Sequence, residues 1–320
     1  MAWLVTGGAG YIGSHVVRAF AEAGIEPVVL DSLTSGIRDF VRDDVRFVEG
    51  NILDRELLES TLRDADVEGV VHLAGFKYAG VSVQKPLLTY SQNVTGTAVL
   101  LGAMEAAGVD KMVFSSSAAV FGTPDVDLVT EETETHPESP YGESKLIGEW
   151  LLRDQGTAAG LQHTSLRYFN VVGSGYPDIY DVSPHNLFPK VFEALLRGET
   201  PTINGADYPT PDGTCVRDYI HVADLAAAHV AAAKRLAAGE TVERVYNLGS
   251  GAGVSVREIM DAMAEVTAIA FEPTIATRRS GDPARIVATG ERAARDLDWQ
   301  MRHSLEDMVR SAWDARRTAE

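Results

Sequence analysis

The sequence predicts an α/β fold: a doubly wound parallel sheet joined to a smaller C-terminal α/β domain. Three observations carry this reading. Short apolar runs alternate with helical patterns through the first half of the chain, as successive βα units do. Several of those runs are continuous rather than alternating, the mark of strands buried on both faces of a parallel sheet. A glycine-rich turn, Thr6-Gly7-Gly8-Ala9-Gly10-Tyr11-Ile12-Gly13, joins the first run to the first helical pattern.

Taken in order, the predicted strands are Leu4–Thr6, Pro27–Leu30, Val45–Val48, Val70–Leu73, Lys111–Ser115 and Thr164–Tyr168. Helical stretches lie between them near 11–23, 55–64, 86–107 and 141–155. After about residue 170 the texture changes. Gly173–Pro189 and Tyr208–Gly213 are dense in turn formers, and such loops are where a fold usually places its ligand contacts. Helices return at Val222–Leu236, Val256–Val266, Glu291–Leu297 and Ser304–Arg316. The expected division is a first domain over 1–170, to which 216–248 can add a crossover, and a second over 171–320.

Bulk composition narrows the class. The 320 residues suffice for a sizeable core, and 45% apolar content suits a globular protein. No apolar run approaches the ~20 residues of a membrane span. The net charge of −18 argues against nonspecific binding to nucleic acid or to anionic membrane. A single cysteine, Cys215, forbids an intrachain disulfide and points to the reducing cytoplasm. No Cys/His cluster has metal-ligand spacing.

The turn suggests a phosphate cradle. Gly7, Gly10 and Gly13 recur every third residue, so backbone can approach a pyrophosphate, and the helix starting near Tyr11 and Ile12 aims its N-terminal dipole at it. Asp31 ends the second strand 18 residues after Gly13, where a carboxylate accepts hydrogen bonds from a ribose diol and repels a 2′-phosphate. With Ser32 beside it rather than arginine, the pattern favours NAD over NADP. That makes the first domain Rossmann-type. Asn51 and Ile52 follow the third strand, where an adenine edge can be met. Leu73-Ala74-Gly75 ends the fourth strand in small residues, and Lys77 beyond it offers a counter-charge for pyrophosphate.

Chemistry is suggested further on. Tyr141 and Lys145 stand one helical turn apart, behind the helix-start signal Ser139-Pro140. A free phenol has a pKa near ~10. A lysine ammonium and an oxidised nicotinamide nearby both favour the phenolate. Phe114-Ser115-Ser116-Ser117 ends the fifth strand 24 residues earlier, at the usual binding crevice. Ser117 can bond a substrate hydroxyl and relay its proton.

These blocks resemble the extended short-chain dehydrogenase/reductases, and among them the UDP-glucose (UDP-galactose) 4-epimerases, over essentially the whole chain. The carrying segments are VTGGAGYIGSH (5–15), SVQKPLLTYSQNVTGT (82–97), FSSSAAVFG (114–122), SPYGESKL (139–146), LRYFNVVG (166–173), DYPTPDGTCVRDYIHVADLA (207–226), YNLGSG (246–251) and RRSGDPARIVA (278–288). The resemblance implies that Tyr141 is the acid/base on the sugar's 4-hydroxyl, with Ser117 its partner and Lys145 tuning it. It implies NAD contacts from Lys77, Asn93, Ser115 and Tyr168 besides the turn. It implies nucleotide-sugar contacts from Lys77, Phe169, Asn170, Asn186, Leu187, Asn204, Arg217, Arg279 and Asp282. NAD would take hydride from the fourth carbon, the 4-keto sugar would turn over, and hydride would return to the other face. A UDP-hexose substrate and a homodimer follow from the same resemblance. Leu87, Leu88, Val94, Leu100, Leu101, Leu146 and Trp150 are apolar residues in excess of one sheet face.

Departures from the family pattern are Asn51 for Asp, His185 for Asn, Ala119 and Phe121 for Thr and Tyr, Asn204 where an aromatic can pack, and Ile286 where some members have Tyr. Rival readings are a nucleotide-sugar 4,6-dehydratase, a UDP-uronate or pentose 4-epimerase, a net oxidoreductase, and a noncatalytic dinucleotide-binding protein. Ala118-Ala119 lacks the extra acid and base of a dehydratase, and a noncatalytic protein would lose Tyr141 or Lys145.

Overall fold

The computed structural model describes residues 2–279 and 282–318. The strands of its main sheet are β1 (Ala2–Thr6), β2 (Glu26–Asp31), β3 (Arg46–Glu49), β4 (Val67–His72), β5 (Lys111–Ser115) and β6 (Gln162–Tyr168), which include or overlap each predicted strand. Helices α1 (Tyr11–Glu22) and α2 (Arg55–Asp64) follow β1 and β3. After β4 come α3 (Ala79–Ser82), α4 (Pro86–Tyr90), a π-helical turn over 91–95, and α5 (Gly96–Ala107). The sequence reads 86–107 as one helix; the wide turn interrupts it where Asn93 reaches across to the loop after β4. Helix α6 runs Pro140–Ala159.

Beyond β6 lie β7 (Asn170–Val172), α7 (Leu187–Leu196), β8 (Thr202–Asn204), β9 (Val216–Arg217), β10 (Tyr219–His221) and α8 (Val222–Ala237). Then come β11 (Val245–Leu248), β12 (Val254–Ser255), α9 (Val256–Thr267), β13 (Thr274–Ala276), β14 (Arg285–Ile286), α10 (Glu291–Leu297) and α11 (Leu305–Thr318). The sheet is seven-stranded and parallel, in the order β11-β6-β5-β4-β1-β2-β3. Its outermost strand on one side therefore comes from late in the chain.

Two apolar layers cover the sheet. Trp3, Val5, Val16, Phe20, Leu225, Ala232 and Tyr246 bury α1, α8 and α10 against one face. Leu4, Leu58, Leu100, Met104, Met112 and Leu152 bury α2, α5 and α6 against the other. Trp3 is fully buried, and a Cβ on neighbouring Gly69 would sit 2.7 Å from its ring, so the strand there needs glycine. Truncating such a buried aromatic typically costs ~3–5 kcal/mol.

A separate core gathers Phe188, Phe192, Ile259, Met260, Met263, Val309 and Trp313 from α7, α9 and α11. No helix among the described residues is long and apolar enough to cross a membrane, and no cluster of His, Cys, Asp or Glu among them could hold a metal ion.

Candidate active site

Strand order reverses at β1, whose neighbours β2 and β4 lead off in opposite directions. The crevice beyond the carboxyl ends of such strands is where doubly wound sheets bind ligands, and the glycine turn lies there. Gly7 has φ 74°, and a Cβ on it would sit 2.8 Å from the Ala74 nitrogen. A Cβ on Gly13 would run into the Gly7 carbonyl oxygen. The Gly7–Gly13 turn and the Leu73–Gly75 segment therefore meet backbone to backbone. Helix α1 starts at Tyr11 with no side-chain cap and no acid in its first turn, so its leading N–H groups suit an anion.

Asp31, buried at the end of β2, accepts from the Ala9 nitrogen (3.0 Å) and the Leu33 nitrogen (2.8 Å). A carboxylate has capacity for about four such bonds, so two acceptor positions suit a diol. Tyr11 contributes backbone only, since its buried hydroxyl donates to the Gly173 carbonyl. Ser32 is exposed and bonds Thr34. Ile52 is buried, whereas Asn51 is exposed and accepts from the Leu53 nitrogen. Asn93 is buried. Its Oδ1 accepts from the Phe76 nitrogen (2.6 Å), and its Nδ2 donates to the Phe76 carbonyl and Ser144 Oγ. It thus clamps the loop after β4 against α6. This donor set, and a cradle that any Cβ would fill, fit a dinucleotide.

Three consecutive serines leave β5, each with its own partner. Ser115 Oγ donates to His229 Nε2 (2.7 Å), whose Nδ1 lies 2.9 Å from the Leu225 carbonyl. The Ser115 carbonyl accepts from Lys145 Nζ (2.8 Å). Ser116 Oγ donates to Glu149. Ser117 bonds Tyr141 and also caps the short helical turn 118–120 through the Ala119 nitrogen. Capping and contact with the phenol thus coexist in one side chain.

Ser139 caps α6 through the Gly142 nitrogen, with Pro140 in the first turn. The Tyr141 nitrogen donates to Ser82 Oγ. The Lys145 ammonium is buried 5.9 Å from the Tyr141 ring centre. Burial lowers the Lys145 pKa to about 8, opposed by Glu149. Burial also raises the Tyr141 pKa, opposed by the Ser117 hydrogen bond. The protein by itself therefore keeps Tyr141 a phenol at neutral pH, and the lowered pKa expected from the sequence needs a further positive charge. Tyr168 bonds Ser115, and burial raises its pKa strongly.

Most of the remaining candidates lie on the C-terminal loops and short strands. Arg217 Nη2 pairs with Asp282 Oδ1, and Arg279 is exposed close by. Ser280 and Gly281, between them in sequence, lie outside the described residues. Asn170 Nδ2 donates to the Asp218 carbonyl, and Asn186 Nδ2 to Asp181 just before Leu187 opens α7. Asn204 stands on β8 beside Ala276. Lys77 is exposed and feels Asp181. His185 packs edge-on to Tyr78. Ile286 and Phe169 pack on the cluster of Val120, Phe121, Val129 and Leu146, so Phe121 is a core residue.

Sequence reading passed over Glu149, Arg167, Asp218 and His229. Buried Asp218 accepts from the Ser250 and Ala288 nitrogens and ties the β11 exit to the segment after β14. Glu149 had a usable signal: it repeats the Tyr141–Lys145 spacing one turn further.

Comparison with known proteins agrees with this geometry. Residues 3–249 match the model of the NAD dependent epimerase/dehydratase family. The UDP-glucose 4-epimerase of Azospirillum brasilense is 46% identical over 99% of this chain and 92% of its own. The Brucella ovis UDP-glucose 4-epimerase, solved with NAD, is 38% identical, covers 98% of this chain and 97% of its own, and superposes with a TM-score of 0.93. The Bifidobacterium longum enzyme, solved with NAD+ and UDP, is 35% identical, with 99% and 98% coverage and a TM-score of 0.90. With a glycine cradle at the strand switch, a Ser–Tyr–Lys cluster beside it and these likenesses over nearly its full length, the chain belongs to the NAD dependent epimerase/dehydratase family.

Proposed function

We propose that the protein is an NAD-dependent UDP-glucose 4-epimerase, inverting the 4-hydroxyl of a UDP-hexose through a transient 4-keto sugar. The observation that carries this is Ser117 hydrogen-bonded to Tyr141 and Lys145 anchored on Ser115, beside the dinucleotide cradle. When bound, NAD supplies a reversible hydride acceptor and a positive ring. Gly7, Gly10, Gly13, Asp31, Lys77 and Asn93 line or brace its place. Tyr141 takes and returns the 4-hydroxyl proton, with Ser117 holding the same oxygen. Arg217 and Arg279 offer guanidinium forks to the diphosphate, with Asn170, Asn186, Leu187, Asn204 and Asp282 around the nucleotide. A firmly held nucleotide and a loosely held hexose let the keto sugar present its other face.

Proton NMR of UDP-galactose mixed with the pure protein, without added NAD, tests this. The expected result is conversion to a UDP-glucose/UDP-galactose mixture, and a stoichiometric amount of NAD in the denatured supernatant. A 6-deoxy-4-keto product, stoichiometric release of reduced cofactor, or protein free of NAD would overturn it. The buried thiol of Cys215 and the likeness to these enzymes favour a cytoplasmic location.

The protein also acts as a homodimer in this reading. Of the apolar residues singled out, Leu100, Leu101 and Leu146 are core, whereas Leu87 is 83% and Trp150 47% exposed, with Val83 and Leu88 beside them on or next to packed helices α3, α4 and α6. Exposed apolar residues on neighbouring helices support this reading. Light scattering is expected to give two chain masses at micromolar concentration, and Leu87→Glu to give one. A single chain mass for the parent rejects the dimer.

A further inference from the structure

Behind Lys145 lies a buried ion pair to which the proposed reaction assigns no role. Glu149 stands one helical turn beyond Lys145 on the same face of α6. Arg167 on β6 donates to both its oxygens, Nε at 2.8 Å and Nη2 at 2.6 Å. The two side chains are 8% and 6% exposed. Ser116 Oγ donates to the same carboxylate at 2.5 Å. The guanidinium lies 4.9 Å from the Phe121 ring centre, and its Nη1 is buried with no hydrogen-bond partner among the described residues. A buried pair left partly unsatisfied is poor value as structural glue, because apolar side chains of similar volume often stabilise as well or better.

Its location suggests another use. Glu149 is bonded to the strand exit that carries Ser115 and Ser117, and it rides on the helix that carries Tyr141 and Lys145. Building on the proposed epimerase chemistry, we infer that Glu149 and Arg167 are positioning residues. They fix the Lys145 ammonium at the Ser115 carbonyl and set the field it feels, and so govern proton transfer at Tyr141.

The groups around this centre are few. From α6, Tyr141 and Glu149 face Lys145. From β4, His72 does, held neutral because burial lowers its pKa to about 3. From β5 come the Ser115 carbonyl and the Phe114 ring, 5.0 Å from Nζ. From β6, Arg167 pairs with Glu149, and Tyr168 bonds Ser115. His163 feels Glu149 and is also kept neutral. Among these, Glu149 is the nearby negative charge that supports the ammonium, and Arg167 is the positive charge that offsets it.

Opposite signs follow for the two halves of the pair. Glu149→Gln leaves Arg167 unbalanced and pushes Lys145 to lose its proton at lower pH. Arg167→Met leaves the Glu149 carboxylate with Lys145 as its counter-charge and pushes Lys145 to hold its proton to higher pH. Each shift is expected to be about one pH unit. Two readouts report it: the alkaline limb of the kcat pH profile of the NAD-loaded protein, and the midpoint of the Lys145 side-chain resonance in NMR titration, assigned by its loss in Lys145→Arg.

The inference stands if the two variants move these midpoints in opposite directions. It falls if both leave them unmoved or move them the same way, whatever happens to stability. Should Glu149→Gln not fold, Arg167→Met decides alone: an upward shift supports the inference, and no shift or a downward one overturns it. Absence of epimerisation in the parent protein would instead reject the epimerase reading, and the NMR titration would still test the pair.

Discussion

Tyr141→Phe is expected to lower turnover by ~10²–10⁴-fold, the usual contribution of a positioned acid–base group, while UDP binds as before. The substitution removes one oxygen and keeps the ring, so the packing of α6 against the turn 118–120 survives. Ser117 keeps its cap on the Ala119 nitrogen, and Lys145 keeps its bond to the Ser115 carbonyl. The residues proposed to hold the nucleotide lie on other elements, so calorimetric titration with UDP should be unchanged. Folding stability should fall by no more than ~1 kcal/mol, one hydrogen bond's net worth. Near-full activity of the variant would place the base elsewhere.

Gly13→Val is expected to yield protein without NAD and with a lower melting temperature. A side chain there collides with the Gly7 carbonyl, and Gly7 is itself closed against Ala74. The turn must open, and with it the cradle. Overpacking of this kind costs ~1–3 kcal/mol, and the loss of a tightly held ligand lowers apparent stability further. Gly102→Ala is the control: it lies within α5, where a Cβ meets nothing nearer than Arg55 Nη1 at 3.8 Å. That change should keep NAD and add up to ~1 kcal/mol through helix propensity. The assay is cofactor content of the denatured supernatant with a thermal melt. Full NAD occupancy in Gly13→Val would refute the cradle.

Legibility of the sequence followed burial. Strands such as Val28–Leu30 and Met112–Phe114 could be read because a strand covered on both faces must be apolar throughout. β7, β8, β9, β10, β12, β13 and β14 are two or three residues long, too short to show a period. α7 was missed because Asn186 gives it no side-chain cap and the turn-rich run 173–189 overlaps its first turn.

Within the site, Ser117, Tyr141 and Lys145 stood out by residue type and spacing. Arg167 did not, and the spacing of Glu149 placed it on the same helix face without revealing its partner, because the meaning of both depends on β6 lying beside α6. Asn93 could be named but not understood: its amide works on the Phe76 backbone, a contact made by the wide turn at 91–95.

The place of β11 at the sheet's outer edge limits how the chain can be divided. A cut at residue 170 would strip β6 of its outer neighbour and leave the backbone from Ser165 to Tyr168 as an open edge. It would also uncover the side of α1 that α8 hides. Exposed edges of that sort invite pairing with other molecules. During synthesis the nascent chain must therefore wait for residue 248 before its nucleotide-binding half is sealed. Expression of the first 170 residues alone should give aggregates rather than a free-standing module.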